Sequence, residues 1–322
     1  MSRLGFGCAS LTSLNSRPKA LKLLEHAYDE GIDHFDVARL YGMGNAENIV
    51  GEFAKGKRDK ITITSKFGLN PPALIPGNKK IIGLIKSVVK KIPGVQKAVQ
   101  KKLNAGIVTN FSLKNATGSL HKSLQELQTD HIDYYLLHEA GKDDANAEEL
   151  IGFLETKVKE GKILQYGIAT SGGKLNNDCS RFNAAYNVFQ FENNLCDQQL
   201  EKLKGAEHKL LITHSIFRYY NNIVQCIGRI DPVELKKHSE TLNLDLENPE
   251  TLAQLLLFHS GSMNPGGITL FSSLKKENIS KNREYFNGFK DLAAQKDSVN
   301  NYLKLLVDGC SELHHTKTIQ TE

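Results

Sequence analysis

Eight short apolar runs alternate with amphipathic stretches along this chain, and that alternation limits the folds open to it more than any other feature. The runs are Arg3–Phe6, His34–Val37, Ile61–Lys66, Ile132–Leu137, Ile163–Ile168, Asn187–Phe191, Leu210–His214 and Ile268–Phe271. Apolar runs separated by segments of helical length read as parallel βαβ units, because parallel neighbours need a long crossover, usually a helix. Between the first two runs, Ser16 is placed to cap a helix with Pro18 in its first turn. Leu21, Leu24 and Tyr28 predict its buried face, and Gly31 its stop. The segment from Ala147 to Glu160 repeats the logic, with Leu150, Leu154 and Val158 inward and Gly161 ending it. Most other gaps carry similar, weaker helical patterns. The fold class is therefore α/β, and eight strands predict a closed (β/α)8 TIM barrel. An open doubly wound sheet fits the alternation almost as well, so the count alone leaves both standing.

At 322 residues the chain has room for two domains, but a barrel uses all of it, and a single domain over 1–322 is expected. Hydrophobic residues at 40% and charged residues at 24% exclude collagen-like, disordered and disulfide-scaffold classes. No stretch approaches about 18 consecutive apolar residues, so no transmembrane helix is expected. The start, Met1 to Cys8, is too short and Gly-rich before Cys8 to read as a leader peptide. Five widely spaced cysteines without a CxxC predict reduced thiols in a cytoplasmic protein, and no zinc site. The eleven histidines show no ligand spacing such as HExxH, so no metal site is expected.

One connection breaks the rhythm. From Leu69 to Ser112 the chain runs far beyond a usual βα loop, with Pro71-Pro72, Pro76-Gly77 and Pro93-Gly94 as breakers. Ile81/Ile82, Ile85, Val88/Val89 and Ile92 recur at helical spacing, and a second, shorter helix is expected through Val95, Val99 and Leu103. No acidic residue lies between Asp59 and Glu126, and eight lysines fall within 79–102. Those lysines account for the whole excess in a net charge of +5, so the basic balance is local. It lacks the arginines, aromatics or motif of a nucleic-acid binder. Three readings of this lysine-rich insertion stand: a solvated helical flank or lid, an interfacial helix touching anionic lipid or a partner protein, and a basic rim drawing in an anionic substrate. The polar residues after about Ser311 read as a flexible tail.

Gly5-Phe6-Gly7-Cys8-Ala9-Ser10 looks like a dinucleotide fingerprint with its last Gly replaced, but it is a decoy. That fingerprint needs a full strand before it and an acid at a strand end about 20 residues on. Only four residues precede Gly5, and Asp29 and Glu30 fall in a helix.

The informative stretch is Phe35-Asp36-Val37-Ala38-Arg39-Leu40-Tyr41-Gly42, an acid at a strand end with a tyrosine in the following loop. The third strand ends in Lys66 and the fourth in His138. In a barrel these tips converge on one mouth, where active sites lie. Tyrosine, with a pKa of about 10, is a poor acid or base at neutral pH. A lysine ammonium beside it is expected to lower that pKa, with an aspartate holding the lysine charged. Singly, a strand-end Lys or His reads as a solvated surface residue; four at the right tips, in order, read as a proton-transfer site.

On these residues the chain resembles the aldo-keto reductase family, from Leu4 to about Phe286. The motifs are Phe-Asp-x4-Tyr-Gly at 35–42, Thr-Ser-Lys at 64–66 and Asp-x2-Leu-Leu-His at 133–138. The resemblance implies the (β/α)8 barrel and hydride transfer between a carbonyl or sugar-like substrate and NADP(H) or NAD(H). Its catalytic tetrad falls on Asp36, Tyr41, Lys66 and His138. Tyr41 protonates the alkoxide, Lys66 and Asp36 tune it, and His138 orients the carbonyl. On the cofactor side the resemblance implies Gly7, Cys8, Thr170, Gln190, His214, Ser215, Ser272, Ser273, Lys275, Asn278 and Asn282. Thr170 and Gln190 match the carboxamide site, although Ala169 stands where the family commonly has serine. His214 takes the place of the aromatic that stacks under the nicotinamide, and Ser215 matches a pyrophosphate contact. Ser272 and Asn278 replace the basic residues that usually clamp a 2′-phosphate, leaving Lys275 and Lys276 as point charges, so NADP and NAD stay equally open. Phe67, Glu139 and the 69–112 loop are candidate pocket walls; Glu139 reads first as an exposed carboxylate. With no tryptophan in the chain and Ala9 at a position commonly tryptophan, a roomy, polar pocket is expected. The alternative from another class is a nicotinamide-binding regulatory or scaffold subunit with little turnover.

Overall fold

The computed structural model describes residues 3–14, 16–70, 108–288 and 292–309. Eight parallel strands close into a barrel: β1 (Arg3–Gly7), β2 (His34–Asp36), β3 (Thr62–Phe67), β6 (Ile132–His138), β7 (Ile163–Ala169), β8 (Val188–Glu192), β9 (Leu210–His214) and β10 (Ile268–Phe271). Closure by pairing of β1 with both β2 and β10 excludes the open doubly wound sheet. Two further strands, β4 (Leu69–Asn70) and β5 (Val108–Thr109), form an antiparallel pair beside β3, so the chain leaves for the insertion and returns at one place. Phe111 packs edge-on to Phe67 there, ring centres 6.0 Å apart. Gly68, at φ +109°, passes so near that a Cβ would lie 2.1 Å from the Phe111 ring. The helices expected within 81–103 and the tail expected after Ser311 lie outside the described residues.

Strand register fixes what faces inward. Pairs run Gly7↔Asp36, Lys66↔Leu136, His138↔Ala169, Ala169↔Gln190, Glu192↔His214 and Ile268↔Ile212. With a period of two, these residues share the inner face with His34, Thr64, Val188 and Leu270, while Phe6, Phe35, Ile63, Phe67, Tyr135, Leu137, Phe189 and Phe191 point out. The outward set joins the large core under the helices; Leu136, Ala169, Val188, Ile212, Ile268 and Leu270 form a separate, smaller cluster inside. The inside is crowded: a Cβ on Gly167 would come within 1.8 Å of the Val188 carbonyl oxygen.

Helix α1 (Arg17–Asp29) starts as predicted, with the Ser16 hydroxyl accepting from the Lys19 amide at 3.4 Å. Its buried residues are Ala20, Leu23, Leu24 and Ala27 rather than Leu21 and Tyr28, because small Ala20 and Ala27 let the helix sit closer to the barrel. Helices α2 (Asn45–Ala54), α3 (Leu113–Leu127) and α4 (Glu148–Lys159) follow; α4 buries Leu150, Ile151 and Leu154, with Val158 half-buried. After β7 and β8 the expected helices shrink to single turns, Gly172–Leu175 and Gln199–Lys202. Side-chain turns compete there: Asp178 Oδ1 accepts from the Ser180 amide, and Asn194 Oδ1 from the Cys196 and Asp197 amides. Between β9 and β10 lie α5 (Tyr220–Ile227), α6 (Pro232–Leu242) and α7 (Pro249–Met263), and β10 is followed by α8 (Lys276–Asn287) and α9 (Lys296–Asp308).

Among the described residues no helix is long and apolar enough to cross a membrane, and no group of three or more His, Cys, Asp or Glu could hold a metal ion. Cys8 and Cys179 are free thiols.

Candidate active site

Four strand ends and one loop build the site. Asp36 closes β2, and Lys66 stands one residue before the end of β3. The ammonium lies 2.7 and 2.8 Å from the two Asp36 oxygens and donates to the Val37 carbonyl at 3.1 Å. Gln190, from β8, donates its Nε2 to Asp36 Oδ2 at 3.0 Å. Tyr41 arrives on a single turn, Tyr41–Gly44, in which Gly42, Met43 and Gly44 all have positive φ. Gly42 and Gly44 adopt that region without a Cβ penalty, and Met43 is the residue held there against its preference. The turn swings the phenol back over the strand tips, with Lys66 Nζ 5.2 Å from its ring centre. His138, ending β6, meets Tyr41 edge to face with ring centres 6.1 Å apart.

Burial opposes the charge on Lys66, but Asp36 and Tyr41 outweigh it and the ammonium pKa is raised. Burial also dominates Tyr41, pushing the phenol up by more than Lys66 pulls it down. This corrects the expected lowering: taking a phenolate out of water costs more than one neighbouring ammonium returns. Tyr41 accordingly holds its proton. Burial lowers His138 to about 3, aided by Lys66, His214 and Lys174, and lowers His214 to about 4, aided by Lys66 and Arg218. Both imidazoles are neutral at physiological pH.

A cavity of about 330 Å³ opens over these groups. Its wall brings together Gly7, Asp36, Tyr41, Lys66, His138, Thr170, Gln190, His214, Ser215 and Ser272. Two polar atoms of this wall are buried with no hydrogen-bond partner, Thr170 Oγ1 and Gln190 Oε1. Ser215, at φ +69°, shares a hydrogen bond with His214 Nδ1 at 2.8 Å. Gly7 lets Ser272 approach; a Cβ there would sit 2.7 Å from the Ser272 hydroxyl.

The remaining predicted cofactor residues stand apart from this cavity. Cys8 is buried, its thiol directed at the Phe6 carbonyl at 3.6 Å. Ser273 closes a turn onto Lys275, accepting from its amide and donating to its carbonyl, each at 3.1 Å. Lys275 and Asn278 are exposed at the start of α8, and Asn282 is buried on its inner side. Phe67 is no pocket wall: adjacent to inward-facing Lys66, it faces out and stacks on Tyr135 at 5.0 Å. Glu139 does line the cavity, but it is half-buried rather than free. Its Oε2 accepts from the Ser171 amide at 3.3 Å, and Lys174 Nζ donates to its carbonyl at 2.6 Å. Nor is the cavity roomy, since its volume sits at the bottom of the usual ligand range of about 300–1,000 Å³. Phe217 and Arg218 were not foreseen as wall residues. Arg218 pairs with Glu192, a contact between β8 and the loop after β9 that no local pattern announces.

The aldo/keto reductase family model matches residues 3–209. Among curated proteins, the uncharacterized oxidoreductase YqkF of Bacillus subtilis is 31% identical over 170 residues, covering 53% of this chain and 45% of that protein. An aryl-alcohol dehydrogenase [NADP(+)] of Phanerodontia chrysosporium is 28% identical over 152 residues, covering 47% and 34% respectively. The match thus spans less than half the length of either relative. Among solved structures, the holo form of aldo-keto reductase AKR11C1 from Bacillus halodurans superposes with a TM-score of 0.67 at 21% identity, over 94% of this chain and 91% of that one. An aldo-keto reductase from Klebsiella pneumoniae in complex with NADPH gives 0.55 at 20% identity, over 88% and 85%. The family match includes the predicted tetrad and ends before His214, Ser215 and the whole 272–282 segment.

Proposed function

Since the chain belongs to the aldo/keto reductase family, we propose that it is an NAD(P)(H)-dependent oxidoreductase interconverting a carbonyl compound and its alcohol, with Tyr41 as general acid and base. The observation that carries this reading is the buried Asp36–Lys66 pair beneath Tyr41, facing a cavity with neutral His138. An ammonium fixed in a closed site is costly to maintain unless its charge is used, so the scaffold reading gains nothing from it.

The wall fits a nicotinamide. Gln190 commits its Nε2 to Asp36, so its Oε1 is left as an acceptor, and the Thr170 hydroxyl is a free donor. A carboxamide presents the complementary NH2 and carbonyl. When bound, the reduced nicotinamide supplies hydride to the carbonyl carbon. Tyr41 Oη donates its proton to the carbonyl oxygen as negative charge develops there, completing the alcohol. Lys66 Nζ stabilises the phenolate left behind, and Asp36 keeps that ammonium in place. His138, neutral, directs a ring N–H at the same oxygen. In the reverse direction the Tyr41 phenolate takes the alcohol proton.

The volume available, about 330 Å³ for nicotinamide and substrate together, favours a small carbonyl compound. Charged Glu139 and Arg218 at the rim suit hydroxyl-bearing aldehydes better than aryl ones. Titrating the protein with NADPH and NADH, followed by nicotinamide fluorescence, tests the cofactor reading; Thr170→Val and Gln190→Leu are each expected to weaken binding about tenfold, near 1.4 kcal/mol. Saturation by neither coenzyme would overturn it.

A further inference from the structure

We propose that Glu47 is a positioning residue for the proton-transfer site, tying the loop that carries Tyr41 to the strand that carries Lys66. The inference rests on the reading of Tyr41 and Lys66 given above, and it concerns a residue that faces neither cavity nor solvent. Glu47 lies in the first turn of α2 with its carboxylate fully buried. Buried carboxylates are rare unless paired, and this one has partners on two separate elements. Its Oε2 accepts from Arg39 Nη1 at 2.7 Å. Its Oε1 accepts from the Ser65 hydroxyl at 2.7 Å.

The positions of those partners give the carboxylate its meaning. Arg39 lies two residues before Tyr41, and its amide donates to the Lys66 carbonyl at 3.3 Å. Ser65 immediately precedes Lys66 and points away from the cavity because Lys66 points into it. One carboxylate therefore holds a side chain from the loop that leads to Tyr41 and another from the strand that carries Lys66. Arg39 in turn packs on the tight turn after Tyr41: a Cβ at Gly44 would lie 2.9 Å from Nη1, so the guanidinium rests on the very residue that closes that turn. With three successive positive-φ residues, Gly42, Met43 and Gly44, the turn needs such a fixture to keep one geometry. Positioning of this kind is worth much in rate, since about 1 Å of misplacement can cost about 100-fold.

The test separates placement of Tyr41 from simple stability. Four proteins are compared at full length: wild type, Glu47→Gln, the double replacement Arg39→Met with Glu47→Met, and Tyr41→Phe. Each is grown with ζ-13C tyrosine; the Tyr41 signal is assigned by its absence in Tyr41→Phe and followed without coenzyme. Thermal midpoint, kcat and KM for an aldehyde are measured alongside. Glu47→Gln is expected to shift or broaden the Tyr41 signal and lower kcat 10- to 100-fold with KM within about threefold. The double replacement removes both partners of the ion pair together, which restores stability where a single removal does not, and its kcat is expected to stay low. Recovery of kcat together with the midpoint in the double variant would overturn the proposal, leaving Glu47 a stability residue. An unmoved Tyr41 signal in Glu47→Gln would overturn it as well. A shifted signal with kcat unchanged would support Glu47 as the fixture of Tyr41 and reject Tyr41 as the acid.

Discussion

Lys66 places its ammonium between both oxygens of Asp36, at 2.7 and 2.8 Å, with the lysine only 2% exposed. Both charges are almost fully buried, so each depends on the other. Asp36→Ala is expected to leave an uncompensated ammonium and to destabilise the fold by about 3–5 kcal/mol, read from urea denaturation. Asp36→Asn keeps the shape and costs less, yet should still lower turnover because the ammonium loses its partner. Equal stability of Asp36→Ala and wild type would show that the pair is not buried as described.

Acid should unfold the protein through its histidines. His138 and His214 have pKa values lowered by burial to about 3 and about 4, against the unfolded value of 6.5. Below pH 6.5 the unfolded chain takes up protons that the native state refuses. Their contribution is therefore fully present above pH 6.5 and declines as pH falls toward the folded values. At pH 5 the two together should cost about 4 kcal/mol relative to pH 7. Burial lowers His34 and His259 as well, so His214→Phe removes one of four contributors and should reduce the stability-against-pH slope between pH 6.5 and 5 by roughly a quarter to a third.

Coenzyme discrimination should be weak. Ser272 and Asn278 stand where the family resemblance implies a basic clamp for a 2′-phosphate, and Lys275 beside them is exposed and lacks arginine's fork. NADPH and NADH are expected to bind within about tenfold of each other, a difference of about 1.4 kcal/mol. Adding the fork by Ser272→Lys with Asn278→Arg should shift the ratio toward NADPH by a further tenfold or more. A strong native preference for either coenzyme would mean that other groups read the ribose.

The barrel was legible because period-two burial and crossover length are local properties. Each strand falls within about a residue of its apolar run, and β9 and β10 coincide with theirs. For the site, strand-end position pointed to Asp36, Lys66 and His138 and the family resemblance to Gln190; alternation places all four on one inner layer. The same alternation excludes Phe67 from the pocket, an inference available from its position beside Lys66. Other features depend on contacts distant in sequence. The Arg218–Glu192 pair and the double grip of Glu47 join segments that carry no matching signal. The direction of the Tyr41 shift depends on how deeply the phenol is buried, which a motif does not report. Helices after β7 and β8 failed to extend because Asn and Asp side chains capture nearby amides, a competition visible in composition only once the turns are known.

Packing of the insertion stem is testable at one glycine. Gly68 has φ +109°, and a Cβ there would meet the Phe111 ring at 2.1 Å. Gly68→Ala is expected to destabilise by about 1–3 kcal/mol, combining strain with overpacking. Pairing it with Phe111→Ala relieves the clash but not the strain, so the double variant should recover only part of the loss relative to Phe111→Ala alone.

The central claim is that Tyr41 moves the proton. Tyr41→Phe removes one oxygen from the cavity and leaves Thr170, Gln190 and the strand tips in place. Turnover of the best aldehyde and affinity for the preferred reduced coenzyme should be measured on the same preparation. The account predicts a fall in kcat of at least about 100-fold, with the coenzyme Kd within twofold of wild type. Turnover that survives the change, with coenzyme still bound, would contradict it.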